Sequence, residues 1–160
     1  MPNSFLLTVV IITRDNHANV KTAIMKTGVA RRREVEVVVV DDGSNPPVRS
    51  YLRENLRRHP RIRIRETNRI GPGGARNVGL EQARGRWLVF LDGDDWLRGG
   101  RLLSRLQRMD DTSLDVVLFD TSPRRGNPPI SVEKFERARL YYLRNPRTPK
   151  HTLSGQQLAQ

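Results

Sequence analysis

Three apolar segments constrain the fold of this 160-residue chain more than any other feature. They cover residues 5–13, 36–40 and 87–91, and they consist largely of valine, isoleucine and leucine. Short uninterrupted apolar runs with many β-branched residues are typical of strands buried on both faces of a sheet. Residues 61–65 alternate arginine with isoleucine, which predicts a strand with one exposed face, and residues 116–119 form one more apolar run.

Helical segments are predicted between these strands. One is capped by Asn16, a second begins near Val48, a third follows a glycine-rich loop at residues 71–74, and a fourth covers residues 101–109. Strands that alternate with helices favour a mostly parallel sheet with helices on both faces. The predicted fold class is therefore α/β, and the length fits one principal domain.

The pattern changes after residue 120. Residues 121–160 are predicted to form a basic linker, an amphipathic helix over residues 132–143 and a disordered tail. The chain therefore divides into residues 1–120, which carry the alternating strands and helices, and this C-terminal segment.

The formal net charge is +12, and half of it lies in residues 121–160, which hold eight basic and two acidic side chains. This tail is a candidate arm for an anionic membrane surface, and the alternative is an ordinary solvated basic surface. Nucleic acid is not expected as the main partner, because aromatic residues make up only 6% and none alternates with basic residues as in single-strand binders.

The absence of cysteine excludes disulfide scaffolds, thiolate zinc sites and cysteine nucleophiles. The longest apolar run is too short to span a membrane and has no basic flank before it. We therefore predict a cytoplasmic protein, attached peripherally to the inner face of the membrane if its tail binds lipid. The sequence does not determine the oligomeric state.

Polar and acidic residues follow three of the predicted strands, at residues 13–16, 41–44 and 92–95. In an open parallel sheet, ligands bind at the carboxyl ends of the strands. The glycine-rich loop precedes a helix, whose N-terminus favours an anion. Carboxylates beside a phosphate repel it unless a divalent cation lies between them, and paired carboxylates suit Mg²⁺ or Mn²⁺. These features together predict a metal-bridged diphosphate.

Four segments carry a resemblance to a known family. They are VIITRDN at residues 10–16, VDDGS at 40–44, GPGGARNVG at 71–79 and FLDGDD at 90–95. In this order they resemble the family 2 glycosyltransferases, which have the Rossmann-like GT-A fold. The resemblance covers residues 5 to about 120, so the sheet is expected to be incomplete on its C-terminal side.

The resemblance implies metal-dependent transfer of a sugar, with inversion, from a nucleotide diphosphate donor such as a UDP-sugar to an unknown acceptor. By position, Thr13 and Asp42 would contact the nucleotide base and ribose, and Arg76 would reach the donor. Asp92 would face the ribose. Asp94, with Asp92 as a second ligand, would hold Mg²⁺ or Mn²⁺.

Other interpretations remain open for these residues. Thr13 could simply end a strand, the glycine-rich loop could be an ordinary turn, and Asp92 and Asp94 could cap a helix. Asp41 and Asn77 are expected to be turn or cap residues rather than ligands. No segment resembles the acceptor-binding half, and no general base is identified. The alternative function is therefore a non-catalytic fragment that binds a nucleotide sugar.

Overall fold

The computed structural model describes residues 5–95, 97–109, 116–119 and 140–144, with side chains described for 5–95 and 97–108. Strands and helices alternate along the chain as far as residue 119. The elements in chain order are β1 (Leu7–Thr13), α1 (His17–Lys26), β2 (Val35–Asp42), a 3₁₀ helix (Val48–Tyr51), α2 (Glu54–Arg57), β3 (Ile62–Thr67), α3 (Gly71–Gln82), β4 (Trp87–Asp92), α4 (Gly99–Met109), β5 (Val116–Phe119) and β6 (Leu140–Arg144).

The six strands form one sheet in the order β3-β2-β1-β4-β6-β5. The pairs β3–β2, β2–β1 and β1–β4 are parallel, whereas β6 pairs antiparallel with both β4 and β5. The predicted mostly parallel α/β sheet is therefore confirmed. Two strands, β6 and β5, extend the sheet beyond β4, on the side where the sequence indicated an incomplete sheet.

The sheet is covered by described helices on both faces, as predicted. Odd-numbered residues of β1 and β2, including Val9 and Val37, pack with buried side chains of α1 and α4. Even-numbered residues such as Val10 and Val38 pack against Ala75 of α3 on the other face. Because both faces are buried, β1 and β2 carry mostly apolar residues on both faces instead of alternating polar and apolar ones.

The helix predicted from Val48 is wrong as a single element. A 3₁₀ helix ends at Tyr51, Leu52 is extended with φ −82° and ψ 132°, and α2 then covers only Glu54–Arg57. Leu52 and Leu56 are buried, but Tyr51 is 52% exposed and does not belong to the apolar stripe. With extended backbone at Leu52, this residue and Leu56 of α2 both reach the core.

The glycine-rich segment is not a loop but the first turn of α3, which begins at Gly71. Pro72 is tolerated there because the first N–H groups of a helix have no partner within the helix. The prediction for α1 also needs a correction. Asn16 occupies its N-cap position without a side-chain capping bond, and Asn16 Oδ1 instead accepts from Asn19 Nδ2 at 2.9 Å.

The helix predicted over residues 132–143 is wrong for its last four residues, which lie in β6. Aromatic residues favour strands, and the edge of β4 offers unpaired backbone groups to this segment. The first part of the predicted helix, the predicted linker and the predicted disordered tail lie outside the described residues. Within the part of the chain that the structure describes, no helix is long and apolar enough to cross a bilayer.

Candidate functional site

Thr13 of β1 is in register with Asp41 of β2, and Ile12 is in register with Asp92 of β4. Asp42 follows Asp41 and pairs with Thr67 of β3. The predicted clustering of these polar residues at the carboxyl ends of parallel strands is therefore observed.

Asp42 is almost fully buried, and its carboxylate lies at the start of α3. Asp42 Oδ1 accepts hydrogen bonds from Thr67 Oγ1 at 2.7 Å and from the backbone N–H of Ile70 at 2.8 Å. Asp42 Oδ2 accepts from the backbone N–H of Gly71 at 2.8 Å. The anion bound by the first N–H groups of this helix is therefore the protein's own carboxylate.

The environment of Asp42 favours its ionised form. Burial raises the pKa of this carboxyl group, but the hydrogen bonds from Thr67, Ile70 and Gly71, together with the positive charge of Arg14, lower it further, so that the net pKa lies below its ordinary value. An ionised carboxylate offers about four acceptor positions, of which these bonds use three. Asp42 can therefore accept one more hydrogen bond.

Asp41 points toward the opposite side of β2 and stabilises the turn that follows. Its carboxylate accepts from the backbone N–H of Ser44 at 3.1 Å and from that of Val48 at 2.7 Å. The expectation that Asp41 is a turn or cap residue is therefore confirmed. The same turn is tied to the loop after β1, because Asp15 N donates to Ser44 Oγ at 2.9 Å and Asp15 Oδ1 accepts from Asn45 N at 2.9 Å.

Thr13 is 7% exposed, and its Oγ1 atom has no hydrogen-bond partner among the residues that the structure describes. The hydroxyl lies against Gly93, where an added Cβ would be 2.7 Å from Thr13 Oγ1 and 2.8 Å from Thr13 Cβ. The middle residue of Asp92-Gly93-Asp94 is therefore glycine because β1 approaches it closely. A buried hydroxyl without a partner is costly, and a ligand atom could satisfy it.

Arg76 and Asp92 meet across the site. Arg76 Nη2 lies 3.1 Å from Asp92 Oδ1, and the two side chains are 39% and 55% exposed. Because α3 carries Arg76 and β4 carries Asp92, the contact depends on how the helix lies over the sheet. Exposed ion pairs contribute little to stability, so both groups remain accessible to a ligand.

Asp94 is exposed on the turn that follows β4, where Asp95 N donates to the Asp92 carbonyl oxygen at 2.9 Å. Within the described residues, no three or more histidine, aspartate or glutamate side chains are grouped around a common metal position. Mg²⁺ is commonly held by one or two carboxylates plus substrate phosphates, and the exposed carboxylates of Asp92 and Asp94 fit that donor set.

Sequence reasoning missed a charged network at the amino ends of the strands, opposite the candidate site. The carboxylate of Glu36 is fully buried in β2 and accepts from Thr8 Oγ1 at 2.7 Å and from Arg84 N at 2.7 Å. The guanidinium groups of Arg63 and Arg84 each contact Glu36 Oε2 at 3.0 Å. The only local signal for this network is one glutamate inside a run of valines.

Comparison with known proteins decides the family. The sequence matches the model of glycosyl transferase family 2 across residues 8–157. The chain belongs to glycosyl transferase family 2. The match extends well beyond residue 120, where the resemblance read from the sequence ended, and it includes β6.

Two proteins illustrate the relationship. The succinoglycan biosynthesis protein ExoO of Rhizobium meliloti (strain 1021) is 39% identical over 112 residues, which are 63% of this chain and 30% of ExoO. The crystal structure of Staphylococcus aureus TarS 1–349 in complex with UDP-GlcNAc superimposes with a TM-score of 0.64 at 28% identity, covering 78% of this chain and 36% of that one. The chain thus spans about a third of the length of each.

A third protein supports the fold alone. The mannosyltransferase PcManGT from Pyrobaculum calidifontis, in complex with GDP-Man and Mn²⁺, superimposes with a TM-score of 0.63 at 24% identity. It covers 76% of this chain, and this chain covers 36% of it. The predicted GT-A fold of a family 2 glycosyltransferase is therefore confirmed.

Proposed function

We propose that this chain binds a nucleoside diphosphate sugar at the carboxyl edge of β1, β2 and β4, and that the protein transfers the sugar. The observation that carries the proposal is the buried hydroxyl of Thr13. It lacks a partner within the described residues and lies beside Gly93, between the accessible Arg76–Asp92 pair and the acidic end of β2.

Each site residue would contact a different part of the donor. Asp42 has one acceptor position left and a lowered pKa, which suits the imide N–H of uracil, and Thr13 offers its hydroxyl to the nucleoside. Arg76 would release Asp92 to contact the diphosphate, while Asp92 would then accept from ribose hydroxyl groups. The choice of uracil draws support from the TarS structure, which contains UDP-GlcNAc.

Asp94, together with Asp92, would hold Mg²⁺ or Mn²⁺. When bound, such a cation neutralises the charge that develops on the diphosphate leaving group. Asp92 and Asp94 would supply two carboxylate ligands, and the donor phosphates and water would supply the others. Transfer with inversion also needs a carboxylate base on the acceptor hydroxyl. The late acids Glu133 and Glu136 lie outside the described residues, so this base is not assigned.

A second candidate function is a binding module that holds the nucleotide sugar without transferring it. It is favoured by the described residues, which form a candidate donor site but include no carboxylate that is assigned as a base for an acceptor hydroxyl. The two candidates share the donor site and differ in turnover. Release of UDP from a UDP-sugar by the isolated chain would favour the enzyme, and tight binding without release would favour the binding module.

Calorimetric titration of UDP with and without Mn²⁺ tests the donor site. We expect binding that requires the metal and falls at least about tenfold in Asp94→Asn, since one charge-assisted contact contributes roughly 1.5–3 kcal/mol. Glu34→Gln, which removes the same charge from an exposed position before β2, is the matched control and should bind as the unchanged protein does. Equal affinity in EDTA and in Asp94→Asn would reject the metal site, and no binding under any condition would reject the proposal.

A further inference from the structure

One short segment carries all the excess positive charge of the first 120 residues. Residues 49–65 contain seven arginines and one glutamate. The other residues up to 120 contain 14 basic and 14 acidic side chains, so they are balanced. The segment folds into the 3₁₀ helix, α2 and β3, at the edge of the sheet that begins with β3.

Three of these arginines make hydrogen bonds to other parts of the protein. Arg61 Nη2 donates to the Val29 carbonyl oxygen at 2.7 Å, and Arg63 binds the buried carboxylate of Glu36. Arg65 donates from Nε and Nη2 to Gln82 Oε1 at 3.2 and 2.9 Å. The remaining four are exposed. We call them the arginine surface: Arg49, Arg53, Arg57 and Arg58.

The arginine surface is separate from the candidate donor site. Arg49, Arg57 and Arg58 line one shallow depression together with Ile64. Ile64 belongs to the face of β3 that packs beneath α2, whereas Asp42, which accepts from Thr67 and from Gly71 N at the start of α3, lies on the other face. The depression therefore lies across the sheet from α3.

The guanidinium groups of the arginine surface form only exposed ion pairs within the described part of the protein. Arg49 contacts Glu66 at 3.2 Å and Arg58 contacts Glu54 at 3.1 Å, but the two arginine side chains are 56% and 81% exposed. Exposed ion pairs contribute little to stability, so an external anion can displace them at small cost. Two acids facing four arginines leave the surface strongly positive.

An aromatic side chain accompanies these cations. Tyr51 lies in the 3₁₀ helix between Arg49 and Arg53 and is 52% exposed. Its ring contacts the ring of His17, with centroids 4.2 Å apart and the two planes tilted by 34°. A half-exposed tyrosine among arginines is typical of surfaces at the level of lipid headgroups, where the ring is apolar at one end and hydrated at the other.

We propose that the arginine surface docks on an anionic lipid bilayer, with headgroup phosphates against Arg49, Arg57 and Arg58 and with Tyr51 at headgroup level. Four cations spread over two short helices exceed what a single small phosphate needs. A polynucleotide is disfavoured because this surface offers one exposed aromatic ring, whereas single-strand binders stack successive bases on several. The proposal does not depend on the proposed function.

Co-sedimentation of the full chain with vesicles tests it, in the absence of nucleotide. Vesicles of phosphatidylcholine with phosphatidylglycerol are compared with pure phosphatidylcholine. The variant Arg53→Gln/Arg57→Gln/Arg58→Gln is compared with Arg31→Gln/Arg32→Gln/Arg33→Gln, which removes three charges from exposed arginines before β2. Each arginine near an anionic bilayer strengthens binding about fivefold, so we expect a loss on the order of 100-fold in the first variant. The control variant should retain most of the binding.

Three results would overturn the proposal. An equal loss in both triple variants would mean that overall charge drives binding, and unchanged binding in the first variant would assign it to the basic tail. Binding of a single-stranded oligonucleotide that depends on Arg53, Arg57 and Arg58, without vesicle binding, would assign the surface to nucleic acid. As an independent readout, Tyr51→Trp should show a blue shift of the added fluorescence with anionic vesicles, and its absence would also contradict the proposal.

Discussion

Strand β1 carries a buried threonine near each end, and the two hydroxyl groups differ in their surroundings. Thr8 Oγ1 donates to Glu36 at 2.7 Å and accepts from Gly85 N at 2.8 Å. Thr13 Oγ1 has no partner within the described residues and lies against Gly93. At the amino end of the sheet, the Thr8 hydroxyl and the Glu36 carboxylate are thus satisfied, whereas Arg63 Nε has no partner within the described residues. At the carboxyl end, the Thr13 hydroxyl lacks a partner, and under the proposed function the donor would bind there.

Two of the three carboxylates of β2 show the same difference. Glu36 and Asp42 lie six residues apart on the same side of the strand, and each binds one end of α3: Glu36 accepts from Arg84 N after the helix, and Asp42 accepts from Gly71 N at its start. Glu36 is surrounded by two guanidinium groups, whereas Asp42 has mainly backbone donors and one acceptor position left. Helix α3 is therefore hydrogen-bonded to β2 at both ends, and these bonds fix the helix so that Arg76 lies over Asp92.

The largest effect is expected from Glu36→Ala. Removing this carboxylate leaves Arg63 and Arg84 without their buried partner, and breaking a buried ion pair costs about 3–5 kcal/mol. Because the Arg84 side chain is 50% exposed, we expect the lower end, about 3 kcal/mol in the free energy of unfolding by urea. Glu34→Ala is the control and should change it by less than about 0.5 kcal/mol. Equal effects in the two variants would contradict a stabilising role of the ion pairs around Glu36.

The two threonines allow the sharpest test of the comparison. Thr8→Val removes a hydroxyl that donates to Glu36 and accepts from Gly85 N, so we expect it to cost about 2 kcal/mol. Thr13→Val removes an unsatisfied hydroxyl, so its free energy of unfolding should stay equal or rise by about 1 kcal/mol. UDP affinity should fall about tenfold in Thr13→Val, measured by calorimetry. Similar losses of stability in both variants would show that the ends do not differ.

Asp42 should make stability depend on pH. Its pKa in the folded protein lies below the ordinary value of 3.8, so its contribution is fully present above that pH and is lost as the pH falls through the lower, folded value. We expect Asp42→Asn to cost about 1–2 kcal/mol at pH 7, because buried N–H groups lose an ionised acceptor. The difference between the two proteins should shrink below pH 3.8. A difference that widens in acid would contradict the assignment.

The smallest effect on stability is expected from Arg76→Gln. The Arg76–Asp92 pair is exposed, so its loss should change the free energy of unfolding by less than about 0.5 kcal/mol. UDP affinity should nevertheless fall about tenfold if the guanidinium contacts the diphosphate. A stability loss without an affinity loss would make Arg76 a structural residue.

The strands and the family were readable from the sequence because both depend on local patterns. Apolar runs placed β1, β2 and β4 correctly, and short motifs at the strand ends identified the family. Local patterns failed where the secondary structure was determined by backbone geometry or by pairing with a distant strand. Extended backbone at Leu52 divided one predicted helix into two, and pairing with β4 made residues 140–144 a strand.

The order of residues in this chain was sufficient to establish an α/β sheet with acidic residues at its carboxyl edge. Which of those polar groups are already satisfied depended on the folded arrangement. The bonds that satisfy Glu36 and Thr8 come from residues 48 and 77 positions away, and those that satisfy Asp42 come from residues at least 25 positions away. No periodicity within a strand or helix encodes such distances. The unsatisfied hydroxyl of Thr13 became visible only in the folded structure, where β1 lies beside Gly93, because a missing partner can be recognised only after every neighbour is in place.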